Sequence, residues 1–314
     1  MILTVTLNTA LDITYRTPRL VPHTTHRVSE VIERPGGKGL NVARVLAALG
    51  HETVVTGFAG GGTGDVLREL LRLAPGIPAY APPVDALVPI AGATRRTVAV
   101  VDGSTGDTTQ LNEPGPVVSA AEWAAFLARY EELLAGADAV ALCGSLPPGI
   151  HVGAYADLVR GARGAGVPVL LDTGGEPLRR GIAARPDLVK PNADELARLT
   201  GSREPLRATR DARRRGAHAV VASLGPDGVL AATPDGVWRA CPPAPAKGNP
   251  TGAGDSVVAG LLSALVERLP WPDRLTRAVA LATATVLSPA AGEFDAGAYG
   301  ELLSRVRVTE QPPQ

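Results

Sequence analysis

Residues 137–173 read ADAVALCGSLPPGIHVGAYADLVRGARGAGVPVLLDT. An apolar run, ADAVALCG, meets a Gly/Pro turn. Apolar residues at helical spacing follow in HVGAYADLVRGARGAG, and a second apolar run, VPVLLDT, closes the stretch. Strand, helix and strand in that order predict two parallel strands joined by a crossover helix, because parallel neighbours cannot be joined by a tight hairpin. The pattern extends in both directions. ILTVTL, TVVTGFA, DLVKPN and HAVVASLG read as short buried strands, and LNVARVLAALG, AAEWAAFLARYEELL and ADELARLTG as helices. Such alternation predicts an α/β fold with a mostly parallel central sheet and helices on both faces, with ligands at the carboxyl ends of the strands.

Two stretches break the rhythm. About 12–35 and 87–112 contain alternating segments, RVSEVIE and RRTVAVVD, that are too polar for a core sheet. They are expected to form a small second sheet over the site, a lid. The run LRATRDARRRGA reads as a solvated helix face, and the final QPPQ is expected to fray.

Composition narrows the function. The chain has 314 residues, 45% of them hydrophobic, with 31 acidic and 31 basic side chains. That balance gives no reason to expect nucleic acid or an anionic membrane as a partner. Cys143 and Cys241 lie far apart and without ligand spacing, which fits a reducing compartment. MILTVTLNTALD lacks a basic leader and meets Asp12 early, so a cytoplasmic location is expected. Lysine occurs only at Lys38, Lys190 and Lys247, each beside a Gly- or Pro-Asn-containing turn.

The turns carry the chemistry. In KGNPTGAGDSVVAGLLSALVERL (247–269), two glycines open a helix although each costs ~1 kcal/mol against alanine there. Bare N–H groups of Gly252, Ala253 and Gly254 at the positive end of a helix make an anion hole. Asp255 would repel a resting anion there, so its expected task is to accept a proton from a hydroxyl attacking phosphorus. The alternative is a capping turn in which Asp255 balances the dipole. ERPGGKGLNVARVLAALG (33–50) places Gly37, Lys38 and Asn41 at a second glycine-rich helix start, suited to a polyhydroxylated ligand; Asp12, in NTALD, can accept sugar hydroxyls. Asn192 and Glu195, in VKPNADEL, can share a hydrated magnesium ion, but the same spacing is that of a capping box. Ser145, in CGSLPPG, and Ser223 and Gly225, in VASLGPDG, lie at further strand ends. No P-loop and no dinucleotide fingerprint occurs, which argues against P-loop enzymes and Rossmann oxidoreductases.

With these clusters in this order, the chain resembles the ribokinase-like, or PfkB, carbohydrate kinases. GGKGLNVARVLAALG resembles the N-terminal signature of that family and GNPTGAGDSVVAG its C-terminal one. NTALD, GSLPPG, VKPNADEL, SLGPDG and TRRTVAVVDGSTGDTTQLNEPGP are most similar to the branch containing 1-phosphofructokinase and tagatose-6-phosphate kinase. The resemblance implies a three-layer α/β/α domain spanning the chain, with a small β-sheet lid and a homodimer formed through it. It implies ATP and Mg²⁺, a hexose-phosphate substrate and Asp255 as base. Asp12, Gly37, Lys38 and Asn41 would surround the sugar, and Arg27, Arg95 and Ser145 its existing phosphate. Lys190, Asn192, Glu195, Ser223 and Gly225 would face ATP, with Asn192 and Glu195 near the metal. The chain departs from the branch in PHTTHR before Arg27 and in Thr94-Arg95-Arg96-Thr97, each of which lacks an asparagine common there. A non-catalytic sugar or nucleotide sensor is the competing class, and the intact Gly252, Gly254 and Asp255 weigh against it.

Overall fold

A computed structural model describes residues 1–73, 82–288 and 291–311; of the QPPQ tail expected to fray, residues 312–314 lie outside them. The chain opens with β1 (Ile2–Thr6), β2 (Ala10–Thr17), β3 (Glu30–Gly36), α1 (Lys38–Ala48), β4 (Thr53–Ala59) and α2 (Gly61–Leu73). Two short strands, β5 (Val84–Asp85) and β6 (Val88–Pro89), precede β7 (Arg95–Asp102) and β8 (Thr108–Asn112). Then come α3 (Ala120–Leu134), β9 (Ala139–Cys143), α4 (Ala154–Gly164), β10 (Val169–Asp172) and α5 (Gly175–Ala183). Next are β11 (Leu188–Val189), α6 (Ala193–Thr200), α7 (Pro205–Arg214), β12 (Ala219–Ser223), β13 (Val229–Thr233) and β14 (Gly236–Cys241). The chain ends with α8 (Ala253–Val266), α9 (Trp271–Val286), α10 (Ala296–Leu303) and β15 (Arg307–Gln311).

The stretch 137–173 folds as it reads. β9 and β10 pair in parallel, Val140 beside Val169 and Cys143 beside Asp172, with α4 as their crossover. Around them the main sheet runs β15-β14-β13-β12-β11-β10-β9-β1-β4-β5, with β6 also paired to β4. Pairing is parallel from β12 to β5 and antiparallel from β12 outward to β15, so the sheet is mixed with a mostly parallel core.

Strand side chains alternate between two cores, as the pleat requires. Leu3, Val5, Val140, Leu142, Val169 and Leu171 pack with α3 to α7 on one face. Ile2, Ala139, Ala141, Cys143 and Leu170 pack with α1, α8 and α9 on the other. This is the three-layer α/β/α arrangement of a ribokinase-like fold.

A separate four-stranded sheet, β3-β2-β7-β8, stands apart from the main one. Its bounds differ from the expected segments. Residues 87–94 do not join it: Leu87 and Val88 are buried, and β6 pairs with β4 of the main sheet. Apolarity decides this, since a buried pair of residues pairs where the core is. Within 12–35 the second strand starts at Glu30, and Arg27 falls in the preceding loop.

Candidate active site

The front of α8 is built by glycine. Gly252 caps it with a left-handed φ of 86°, and a Cβ there would lie 3.0 Å from Ala291 Cα. No side chain caps the helix; the Ala253 amide donates to Pro250 O at 3.2 Å, and among the described residues the Gly254 amide is left open with the helix dipole behind it. Asp255 is buried, and its Oδ2 accepts a hydrogen bond from Asn41 Nδ2 of α1 at 2.9 Å. Among the described residues its carboxylate takes no hydrogen bond from its own helix, which separates it from a capping residue. Burial, with the charge of Asp172 added, raises its pKa to about 6, while Asn41, Lys38 and Lys190 pull it down.

Asp172, at the end of β10, escapes the sequence reading and is central here. It is fully buried between two ammonium groups. Lys38 Nζ donates to its Oδ1 and Oδ2 at 3.2 and 3.3 Å, and Lys190 Nζ stands 3.4 Å from Oδ1. Burial alone would lower the Lys38 pKa; Asp172, Asp255 and Glu195 outweigh it and hold that ammonium above its usual range. A Cβ on Gly254 would lie 3.6 Å from Lys190 Nζ, so the lysine borders the anion hole.

The second glycine turn packs α1 onto β1. Gly37 has a φ of 111°, and a Cβ there would meet Thr6 Cγ2 at 2.7 Å. Its neighbour Gly36 leaves room for the Asp12 carboxylate, which accepts from Thr97 Oγ1. Burial raises the Asp12 pKa, against the pull of Thr97, Arg95 and Arg44. Glu293 ties the turn to the chain beyond α9: Arg44, buried on α1, reaches it at 2.8 Å and Arg34 of β3 at 3.1 Å.

Asn8 joins two of the residues expected around a phosphate. Its Nδ2 donates to Ser145 Oγ at 3.1 Å, while Arg95 Nε donates to its backbone oxygen at 3.3 Å. Arg95 Nη1 also donates to Glu113 O at 3.2 Å. Arg27 is not brought to them. It is exposed, with no hydrogen bond or ion pair among the described residues.

Two cavities meet at residues 247–250. One, of about 580 Å³, lies between the small sheet and the segment that follows α9, lined by Asp12, Arg34, Thr97 and Ser288. The other, of about 770 Å³, is lined by Asn192, Ser223, Gly225, Gly254, Val257 and Val279. Lys247, Gly248 and Pro250 line both. Of the three lysines only Lys247 lines these cavities; Lys38 and Lys190 meet instead at Asp172, with Lys190 beside Gly254 of the second cavity.

Asn192 and Glu195 form the capping box. Asn192 Oδ1 accepts from Glu195 N at 2.8 Å, and Glu195 Oε2 accepts from Asn192 N at 2.9 Å. The Asn192 amide oxygen is thus committed to α6, and the oxygen left for a metal is Glu195 Oε1, beside Gly174 after the end of β10. No group of three or more acidic, histidine or cysteine ligands occurs among the described residues. One free carboxylate oxygen, on the helix whose first residues Ala193 and Asp194 line the second cavity, suits magnesium, which keeps most of its waters, and does not suit an all-protein cage.

Known proteins share this architecture. The family model described as pfkB family carbohydrate kinase matches residues 4–296. A 1-phosphofructokinase of Rhodobacter capsulatus is 39% identical over 307 residues, covering 96% of this chain and 91% of that protein. A possible 1-phosphofructokinase of Thermotoga maritima superposes with a TM-score of 0.88 at 28% identity, over 99% of this chain and 100% of the other. Phosphofructokinase-2 of Escherichia coli, in complex with fructose-6-phosphate, gives 0.86 at 29% identity over 96% and 98%. Matched from β1 to the start of α10, with the two glycine turns, the buried carboxylate and the small sheet in place, the chain belongs to the pfkB family of carbohydrate kinases.

Proposed function

We propose that the chain is an ATP-dependent hexose-phosphate kinase that converts fructose 1-phosphate to fructose 1,6-bisphosphate. The observation that carries the chemistry is Asp255: a buried carboxylate aligned by Asn41 at the open front of α8. A base with a pKa of about 6 is ionised at neutral pH yet still basic enough to take a hydroxyl proton in the transition state. The sugar oxygen forms its bond to the γ-phosphorus as the β–γ bridge bond breaks. The proton passes to Asp255, and ADP carries away the bridging oxygen. Amides of Gly252 and Gly254, with Lys190 beside them, stabilise charge on the transferring group, and Ala253 joins them only by giving up its bond to Pro250 O. Lys38, fixed by Asp172, contributes a second cation near the sugar. Glu195 Oε1 would help hold magnesium, which would supply charge neutralisation on the phosphates when bound.

Asp12, Gly37 and Asn41 would hold the sugar, and Arg95 and Ser145, joined through Asn8, its existing phosphate. Arg27 enters this site only if its loop moves. Ser223 and Gly225 line the cavity assigned to ATP. A second reading, phosphorylation of fructose 6-phosphate or tagatose 6-phosphate, is favoured by the Escherichia coli relative in complex with fructose-6-phosphate. ADP release, coupled to a dehydrogenase assay, across these three sugar phosphates, free fructose and ribose separates the readings. Preference for a free sugar would refute both.

A homodimer through the small sheet is part of the proposal. Strand register places Ile13, Tyr15, Val31, Val98, Val100 and Leu111 on one face of that sheet. Val31 and Leu111 there are 57% and 61% exposed, an apolar surface that association would cover. Light scattering reads the mass directly. No helix among the described residues is long and apolar enough to cross a membrane, and a cytoplasmic site of action goes with the substrates proposed.

A further inference from the structure

The arginine-rich run of α7 takes no part in the site above. Arg210, Arg213 and Arg214 line an open cleft of about 790 Å³. It lies at the amino ends of β11 and β12, a strand's length, roughly 16 Å, from the catalytic edge of the sheet. Arg163, from the last turn of α4, and Arg185, from the turn after α5, line the same cleft. Five guanidinium groups from three separate segments face one concavity. Among the described residues the only carboxylate in its lining is Asp187, whose Oδ2 already accepts from Val169 N at 2.9 Å.

Elsewhere the chain pairs surface arginines with an acid one helical turn away, as in Arg72–Glu69, Arg129–Glu132, Arg160–Asp157 and Arg179–Glu176. In the cleft, among the described residues, only Arg214 has such a partner, Asp211. Arg163 and Arg213 instead donate to backbone oxygens of Ala184 and His218, at 3.1 and 2.9 Å. Those bonds fix the guanidinium groups without neutralising them. Helix dipoles account for cations in the last turns of α4 and α7. They do not account for Arg185, which follows the α5 C-cap with a left-handed φ of 64°. Glycine adopts that conformation without strain. A side chain kept at a strained position, adding charge to a cluster of like charge, is disfavoured twice in the free protein and points to a counter-charge that offsets both terms.

The lining also defines the counter-charge. Among the described residues it holds no phenyl, phenol or indole ring to stack on, and its apolar wall is small: Ala217, Ala232 and Val237. Several guanidinium forks match phosphate oxygens at close spacing. We propose that this cleft binds a compact anion bearing two or more phosphate groups, at a site separate from the one proposed for catalysis.

The test is titration calorimetry with sodium tripolyphosphate, without magnesium, on the parent and on an Arg185→Gly/Arg210→Gln variant. Arg185→Gly relieves the strained backbone, so the variant folds, and its thermal midpoint verifies this. The parent should show a class of binding that weakens at least tenfold in the variant and falls with added salt. Activity at low ligand should stay within twofold of the parent, which distinguishes failure here from failure of the kinase assignment. Repeating the titration with fructose 1,6-bisphosphate and with ADP identifies whether sugar-borne or adjacent phosphates are preferred. Identical isotherms for parent and variant overturn the proposal. So does variant-sensitive binding of a short single-stranded oligonucleotide without any binding of tripolyphosphate.

Discussion

Replacing Asp255 by asparagine should make the protein more stable and nearly inactive, and both effects can be sized from the structure. The carboxyl is buried and its pKa lies at about 6, against an ordinary value of 3.8. A folded-state pKa above the unfolded one means that the unfolded chain gives up this proton first. The parent therefore loses stability as pH rises from about 4 through about 6. At 1.36 kcal/mol per pKa unit, the full cost at pH 8 is on the order of 3 kcal/mol, and at pH 5 about half of that. An asparagine side chain in this place carries no charge and keeps a partner for Asn41, so the variant escapes the cost at both pH values. Urea denaturation at pH 8 and pH 5 should show the variant ahead by a margin that shrinks as pH falls. A coupled ADP assay should show kcat down by ~10²–10⁴, the usual contribution of a general base. A variant that gained nothing at pH 8, or whose margin grew toward pH 5, would refute the burial argument. An unchanged kcat would return Asp255 to the role of a helix-capping acid.

Three further outcomes are expected. Arg95→Ala should raise the KM for fructose 1-phosphate at least tenfold, about 1.4 kcal/mol, and leave that for ATP near the parent value; equal effects on both would detach Arg95 from the sugar phosphate. Glu195→Gln should raise the magnesium needed for half-maximal rate about tenfold with little change in thermal midpoint, because glutamine preserves the capping box; an unaltered metal requirement would leave Glu195 as a cap alone. Asp172→Asn should cost roughly 3–5 kcal/mol in urea, since it strands the buried Lys190 ammonium. Adding Lys190→Met should recover much of that loss, and a double variant no more stable than the single would contradict the pairing.

What can be read in the sequence follows from how local each signal is. Gly252-Ala253-Gly254 and Gly36-Gly37 announce themselves because glycine at a helix start is unfavourable and therefore informative. The strands of the parallel core are apolar on both faces, so their runs are plain. Asp172 carries no such mark: a lone aspartate at a strand end gains its meaning from Lys38, 134 residues earlier, and from Lys190 on the neighbouring strand's end. The coincidence of three lysines beside turns is visible, but the meeting of Lys38 and Lys190 at Asp172 needs the sheet to bring β10, β11 and α1 together. The Asn192–Glu195 spacing fits a cap and a metal site equally; in the structure both side chains form the cap, and only Glu195 Oε1 is left over. Residues 87–94 read as part of the small sheet because they precede RRTVAVVD without a clear break, and burial of Leu87 and Val88 decides otherwise. Strands β13, β14 and β15 extend the sheet antiparallel, a sense that single short runs do not encode.

The scarcity of lysine has a practical side. The primary amines of this chain are the N-terminus, engaged with Asp138, Lys38 and Lys190, paired with Asp172, and Lys247, which lines the two cavities. A reagent that acylates amines, harmless to most enzymes at low stoichiometry, would here behave as an affinity label. Lys247 is exposed and Lys38 half-exposed, so they would react first, and bound substrate would shield them. Dye labelling or surface coupling through amines would consume the very groups whose function is to be measured. Attachment through Cys241, or through an added terminal tag, leaves them untouched.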